Sequence, residues 1–222
     1  MGRVMVYEWR LSYRIDHWVS VMAVAVLVFT GFYIHWPFIA GGTDSYIMAW
    51  MRFFHFLSAY ALILGFIVRV YLAFNSSSRK CGKFIFGSIL LRDFFCLMKN
   101  IPDMLGYYLF IKKTHKDYWK YNPLQALAYL SMMLLTVFMI FTGLSLYKGR
   151  LFGFIEAYQS FAWVKSMLGG ESYTRVLHFL GMWVFIIFIS LHVYFSLLHT
   201  LIEKDKTFTS IFTGYKLRKK TS

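Results

Sequence analysis

Four long apolar runs alternate with polar, basic stretches along this chain. The runs cover about residues 17–36, 52–74, 124–147 and 173–201. Each is long enough to cross a bilayer as a helix, which takes ~20 residues. The last exceeds that length, so it tilts or projects past the lipid. Asn122-Pro123 suits the start of the third run, since proline is tolerated in a first turn. The pattern predicts an all-α membrane protein, a four-transmembrane-helix bundle forming one integral membrane domain over residues 1–222.

Lys and Arg crowd the N-terminal segment, the stretch 75–122 and the C-terminal tail, and are sparse in the other two loops. The positive-inside rule then puts both termini and the middle loop in the cytoplasm. Within that loop, residues 84–110 mix aromatic and aliphatic side chains with Arg92, Lys99 and Asp103. They read as an amphipathic helix lying on the inner leaflet. A fifth span is the weaker alternative, because Arg92-Asp93, Lys99-Asn100 and Pro102-Asp103 interrupt it. With no small-residue cleavage site after it, the first run reads as a retained signal-anchor.

Composition agrees with the membrane assignment. Hydrophobic residues make up 59% of the chain and charged ones 15%, against about 45–50% and 25% in soluble domains. The net charge of +14 would suggest nucleic acid on a soluble protein. Here it sits in the loops that orient the helices, so no nucleic-acid partner is expected. Two cysteines, Cys81 and Cys96, and no C-x-x-C-H motif exclude covalent haem and an iron–sulfur cluster held by this chain alone.

The spans hold a weak internal repeat. Arg52-Phe53-Phe54-His55-Phe56-Leu57 in the second resembles Arg175-Val176-Leu177-His178-Phe179-Leu180 in the fourth. Phe29-Thr30-Gly31 in the first matches Phe141-Thr142-Gly143 in the third. Two hairpins related by parallel duplication explain both matches and give His55 and His178 equal depth.

Histidine in a span is a functional candidate, although a neutral, hydrogen-bonded histidine is the plain reading of any single one. As a set they form a pattern. His178 and His192 lie fourteen residues apart on one helix, which places them on one face ~21 Å apart. His55 matches His178 at the outer end, and His17 is a partner for His192 at the inner end. Two b-type haems, one near each membrane face, would use such pairs as axial ligands. Arg14, Arg52 and Arg175 each precede a candidate histidine by three residues, one helical turn toward the headgroups, where haem propionates would point. Arg69 occupies the corresponding inner place on the second helix. Snorkelling interface anchors are the alternative role for these arginines. Gly31, Gly65, Gly143 and Gly181 suit either a flat macrocycle near the backbone or close helix packing. Geometry leaves His199, two turns beyond His192, as a rival partner for His17. His35, before Trp36-Pro37, reads as an interfacial residue.

These residues resemble the cytochrome b subunit of membrane-bound nickel–iron hydrogenases, a group shared with formate dehydrogenase gamma subunits. The likeness spans nearly the whole chain. It rests on Arg14-Ile15-Asp16-His17-Trp18 with Thr30-Gly31, on Arg52 to His55 with Arg69-Val70-Tyr71, and on Asn122-Pro123-Leu124-Gln125 with Phe141-Thr142-Gly143. It continues through His178-Phe179-Leu180-Gly181-Met182-Trp183, His192-Val193-Tyr194 and Ser210-Ile211-Phe212-Thr213-Gly214-Tyr215.

The resemblance implies His17, His55, His178 and His192 as ligands of two haem b groups, and so decides against His199. Some relatives hold the outer haem alone. It implies a multi-pass protein of the cytoplasmic (inner) membrane. The partners would be the iron–sulfur small subunit and nickel–iron large subunit of a periplasmic hydrogenase, with electrons passed on to quinone. Hydrogen would not be split on this chain, which would be the quinone-reducing subunit of the complex. Uptake of protons from the inner side would place the quinone near His115, Tyr121, Asn122 and Gln125, a stretch to which the resemblance also points. Helix capping is the alternative role for that stretch. The cytochrome b subunit of a formate dehydrogenase or related molybdoenzyme is the alternative function. A haem-free transporter or channel is the alternative from a different class.

Overall fold

A computed structural model describes residues 3–38, 46–74, 99–109, 111–112 and 123–219. Four helices are long and apolar enough to cross a membrane: α1 (Leu11–His35), α2 (Tyr46–Phe74), α4 (Pro123–Leu146) and α7 (Glu171–Glu203). Between α2 and α4 lies a short helix, α3 (Ile101–Tyr108). The amphipathic stretch expected at 84–110 falls largely outside the described residues. Its described end is this helix, with Pro102 at the start and Met104, Tyr107 and Tyr108 buried. The expected spans are all present, each within a few residues of its expected ends except for an earlier start in α1 and α2.

Helix formation here follows from the solvent. In lipid every backbone N–H and C=O must be satisfied within the segment, so the apolar runs coil. The side chains that point outward stay apolar, as Leu64, Ile187 and Leu191 do. At 33 residues, α7 is about 50 Å long. It therefore overshoots the ~30 Å hydrocarbon core.

The chain divides into two compact units, residues 1–68 with 139–222, and residues 69–138. The second unit contains the end of α2, α3 and most of α4; within it Lys112 pairs with Asp103. All four candidate haem ligands lie in the first unit.

That unit also holds β-structure that the apolar pattern does not predict. Strand β1 (Arg3–Tyr7) pairs antiparallel with β4 (Tyr215–Lys219), in register from Arg3↔Lys219 to Tyr7↔Tyr215. Both ends of the chain therefore lie on one face, as an even number of spans requires. A seven-residue helix, α8 (Thr207–Thr213), precedes β4. Gly214 turns the chain from α8 into β4 at φ +87°. Its carbonyl accepts hydrogen bonds from the amides of Glu8 and Trp9 at 2.9 and 3.1 Å. Arg218 bonds both carboxylate oxygens of Glu8.

On the opposite face, between α4 and α7, stand a two-residue hairpin and two short helices. The hairpin is β2 (Arg150–Leu151) and β3 (Ile155–Glu156); the helices are α5 (Ala157–Ser160) and α6 (Ala162–Met167).

Candidate functional site

The repeat seen in the sequence becomes a repeated contact. On α1, Thr30 Oγ1 lies 2.9 Å from Nδ1 of His55 on α2. On α4, Thr142 Oγ1 lies 2.8 Å from Nδ1 of His178 on α7. Each threonine hydroxyl already donates its one proton to its own helix, Thr30 to the Val26 carbonyl at 2.7 Å and Thr142 to that of Met139 at 3.2 Å. With the hydroxyl proton given to the helix, the oxygen accepts from the ring, which puts the imidazole proton on Nδ1. Nε2 is left with its lone pair. This is the tautomer a metal-ligating imidazole needs, held by a second partner that sets the ring's direction. Thr30 and Thr142 are almost fully buried.

The glycines beside the threonines make room for the rings. A Cβ on Gly31 would meet His55 Cε1 at 3.6 Å, and one on Gly143 would meet His178 Cε1 at 3.2 Å. From the sequence alone these glycines suit a macrocycle or helix packing. Within the protein they seat the imidazoles. Gly65 faces Ser20 and Asp16 of α1, and Gly181 faces Met139 of α4, so these two serve helix packing. The threonines were legible as a repeat, but their task was not. A hydroxyl one residue before a glycine, in both first helices of a duplicated hairpin, was the available signal.

Toward the face that carries the chain termini, His17 on α1 and His192 on α7 stand with ring centroids 6.5 Å apart and planes at 44°. Two metal–nitrogen bonds of ~2 Å plus two ring radii of ~1.1 Å would need ring centroids roughly 6.2 Å apart. The observed spacing fits one iron between them. The rival is otherwise engaged: His199 Nε2 lies 3.2 Å from Asp205 Oδ2. His35 stacks on Phe179 at 3.8 Å, which suits the interfacial role expected for it.

Among the described residues there is no cluster of three or more His, Cys, Asp or Glu side chains placed to hold a metal ion. Histidines that come in pairs suit an iron whose other four positions are filled by a macrocycle.

The expected propionate arginines are placed unevenly. Arg52 and Arg175 are exposed near the starts of α2 and α7. Arg175 bonds Glu171 one turn earlier at 2.5 Å, and Glu171 also receives Tyr158 Oη at 2.5 Å. Arg14 reaches the Ile211 carbonyl of α8 at 3.3 Å. Arg69 is half-buried near the end of α2. Of the expected quinone contacts, Gln125 lies exposed in the first turn of α4. His115 and Asn122, with Tyr121, lie outside the described residues.

The model of one protein family, described as prokaryotic cytochrome b561, matches residues 8–214. The chain belongs to the prokaryotic cytochrome b561 family. Membership implies haem b as the cofactor of this cytochrome. Similar proteins include one from Azotobacter vinelandii named "Probable Ni/Fe-hydrogenase B-type cytochrome subunit". It is 31% identical, covering 96% of this chain and 89% of the relative. One of the same name from Cupriavidus necator is 28% identical over 95% of this chain and 86% of its own. The Escherichia coli K12 protein named "Probable Ni/Fe-hydrogenase 1 B-type cytochrome subunit" is 28% identical over 96% and 91%. In this b561 cytochrome, then, the four helices and the histidine pairs belong to a membrane electron-transfer protein.

Proposed function

We propose that this cytochrome is the membrane subunit that takes electrons from the iron–sulfur subunit of a periplasmic nickel–iron hydrogenase and delivers them to quinone in the cytoplasmic membrane. The observation that carries the reading is the duplicated Thr–His contact, which prepares two Nε2 atoms as metal ligands in one part of the bundle. The names of the relatives favour a hydrogenase over a formate dehydrogenase or related molybdoenzyme as partner. Membership in a cytochrome family favours haem chemistry over a haem-free transporter or channel.

In this reading His55 and His178 hold the outer haem and His17 and His192 the inner one. Haem b supplies reversible one-electron exchange when bound. The chain's own residues do the rest. Thr30 and Thr142 hold the outer ligands in one tautomer. Gly31 and Gly143 let the rings seat against the helices. Arg52 and Arg175 stand at the outer end as propionate partners, and Arg14 and Arg69 at the inner end. Gln125, with His115 and Asn122, is assigned to the quinone.

Reduced-minus-oxidised spectra of the hydrogenase complex test this. His55→Ala and His178→Ala should each remove the same b-type signal, and His17→Ala and His192→Ala the other. Loss of spectrally different signals from His55 and His178 variants would sink the pairing. Absence of any b-type band with haem supplied would sink the function.

A further inference from the structure

The C-terminal end of α7 carries a buried polar group that the electron path from hydrogenase to quinone leaves without a task. His199 Nε2 faces the Asp205 carboxylate at 3.2 Å, and the imidazole is 11% exposed. The same carboxylate takes Lys216 Nζ from β4 at 3.0 Å and both the amide and the hydroxyl of Thr207 at the start of α8. Burial alone would raise the Asp205 pKa. The hydrogen bond from His199 and the charge of Lys216 outweigh it and hold the carboxyl below its ordinary range. Asp205 is thus an ionised acceptor, and His199 turns its Nε2–H toward it.

The other ring nitrogen, His199 Nδ1, is buried with no hydrogen-bond partner. A buried polar atom left so costs ~1–3 kcal/mol, and such an atom calls for a bound group. His199 is seven residues after His192, nearly two turns, so it projects from the same face of α7 about 10 Å closer to the terminal face. The face that carries the inner ligand therefore ends in an oriented, unsatisfied nitrogen.

We propose that His199 Nδ1 is a hydrogen-bond contact for a ring oxygen of the quinone, with Asp205 fixing its tautomer. The proposal rests on the quinone-reducing reading and adds a residue to it on α7. The chemistry suits both forms of the substrate. Neutral His199 presents a lone pair to a quinol hydroxyl. Protonated His199, its charge balanced by Asp205, presents an N–H to a quinone carbonyl. Among the described residues, Asp205 on the turn after α7 faces the ring, and Lys216 on β4 shares its carboxylate.

The test is the binding of a fluorescent hydroxyquinoline N-oxide, a quinone-site probe, to the purified haem-loaded complex. His199→Gln keeps an amide near the Nε2 position, and so the bond to Asp205, but removes the nitrogen at Nδ1. It should retain both b-type signals and weaken the probe about tenfold, the scale of one lost hydrogen bond. His199→Asn keeps a polar atom near Nδ1 and should bind more tightly than His199→Gln. Lys216→Met loosens the carboxylate's surroundings but leaves the nitrogen at Nδ1 in place, so it should weaken the probe clearly less than His199→Gln does. Unchanged binding by His199→Gln, the reverse order of the two histidine variants, or an equal loss in Lys216→Met would overturn the proposal. A parent complex whose haems are reduced by hydrogen but which neither binds the probe nor reduces quinone would overturn the quinone reading itself.

Discussion

One hydroxyl decides the orientation of each outer histidine. Replacing Thr30 or Thr142 with valine keeps the shape and removes the acceptor of a buried Nδ1–H. That costs ~1–3 kcal/mol, and second partners of this kind are worth about 10–100-fold in metal affinity. Thr30→Val and Thr142→Val should each lower occupancy of the same haem, read from the pyridine haemochrome content of purified protein. The glycines make a finer comparison. An added methyl sits 3.2 Å from the His178 ring at Gly143 but 3.6 Å from the His55 ring at Gly31. Gly143→Ala should therefore disturb the outer site more than Gly31→Ala, and equal effects would show that ring seating is not what these positions do. Helix periodicity turns sequence spacing into face and depth, so, although spacing left His199 as a rival, the closeness of His17 to His192 was expected from the sequence. What Thr30 touches was not, since it depends on which helix lies opposite.

At the scale of elements, the long helices were legible and the strands were not. Lipid demands about twenty apolar residues in a row, and few sequences meet that demand by accident. Arg3–Tyr7 is a five-residue strand with every side chain exposed, and it pairs with a partner some two hundred residues away. Nothing local marks such a pairing. Its supports are equally dispersed: Trp9 Nε1 on Ser210 Oγ, Arg3 on the Lys204 carbonyl, and the Leu217 amide on the Asp205 carbonyl. Asp205 is central to them, flanked by Lys204 and Lys206 at φ +50° and +64°. Such left-handed backbone costs ~1 kcal/mol or more per residue. Because the folded Asp205 pKa is depressed, its contribution is complete at and above the ordinary aspartate value of ~3.9. It is lost only as pH falls below that, through the folded value. Amide exchange at 205–217 should stay slow at neutral pH and quicken in stronger acid. In Asp205→Asn it should already be fast at neutral pH, by about 1–3 kcal/mol. Gly214→Ala should act alike: its φ is +87°, and a Cβ would meet the Trp9 carbonyl at 3.1 Å and crowd the Tyr7 ring.

For the whole molecule, the paired ends and the hairpin at Arg150–Glu156 belong to opposite faces. Phe152 and Phe154 stand 77% and 74% exposed near the hairpin tip, open to a reagent in solution. A cysteine at Phe152 should react with a membrane-impermeant maleimide in intact cells, and one at Val4 only after lysis. The reverse pattern would invert the orientation drawn from the basic loops.

The clasp between the first and last strands also sets a clock on biogenesis. Residues 3–7 leave the ribosome well before residues 215–219, the strand with which they pair. At ~5–20 residues per second that is a wait of roughly 10–40 s. Closure of this strand pair therefore waits until the fourth span has been made. Until that strand arrives, Arg3–Tyr7 has an open edge of unpaired backbone groups.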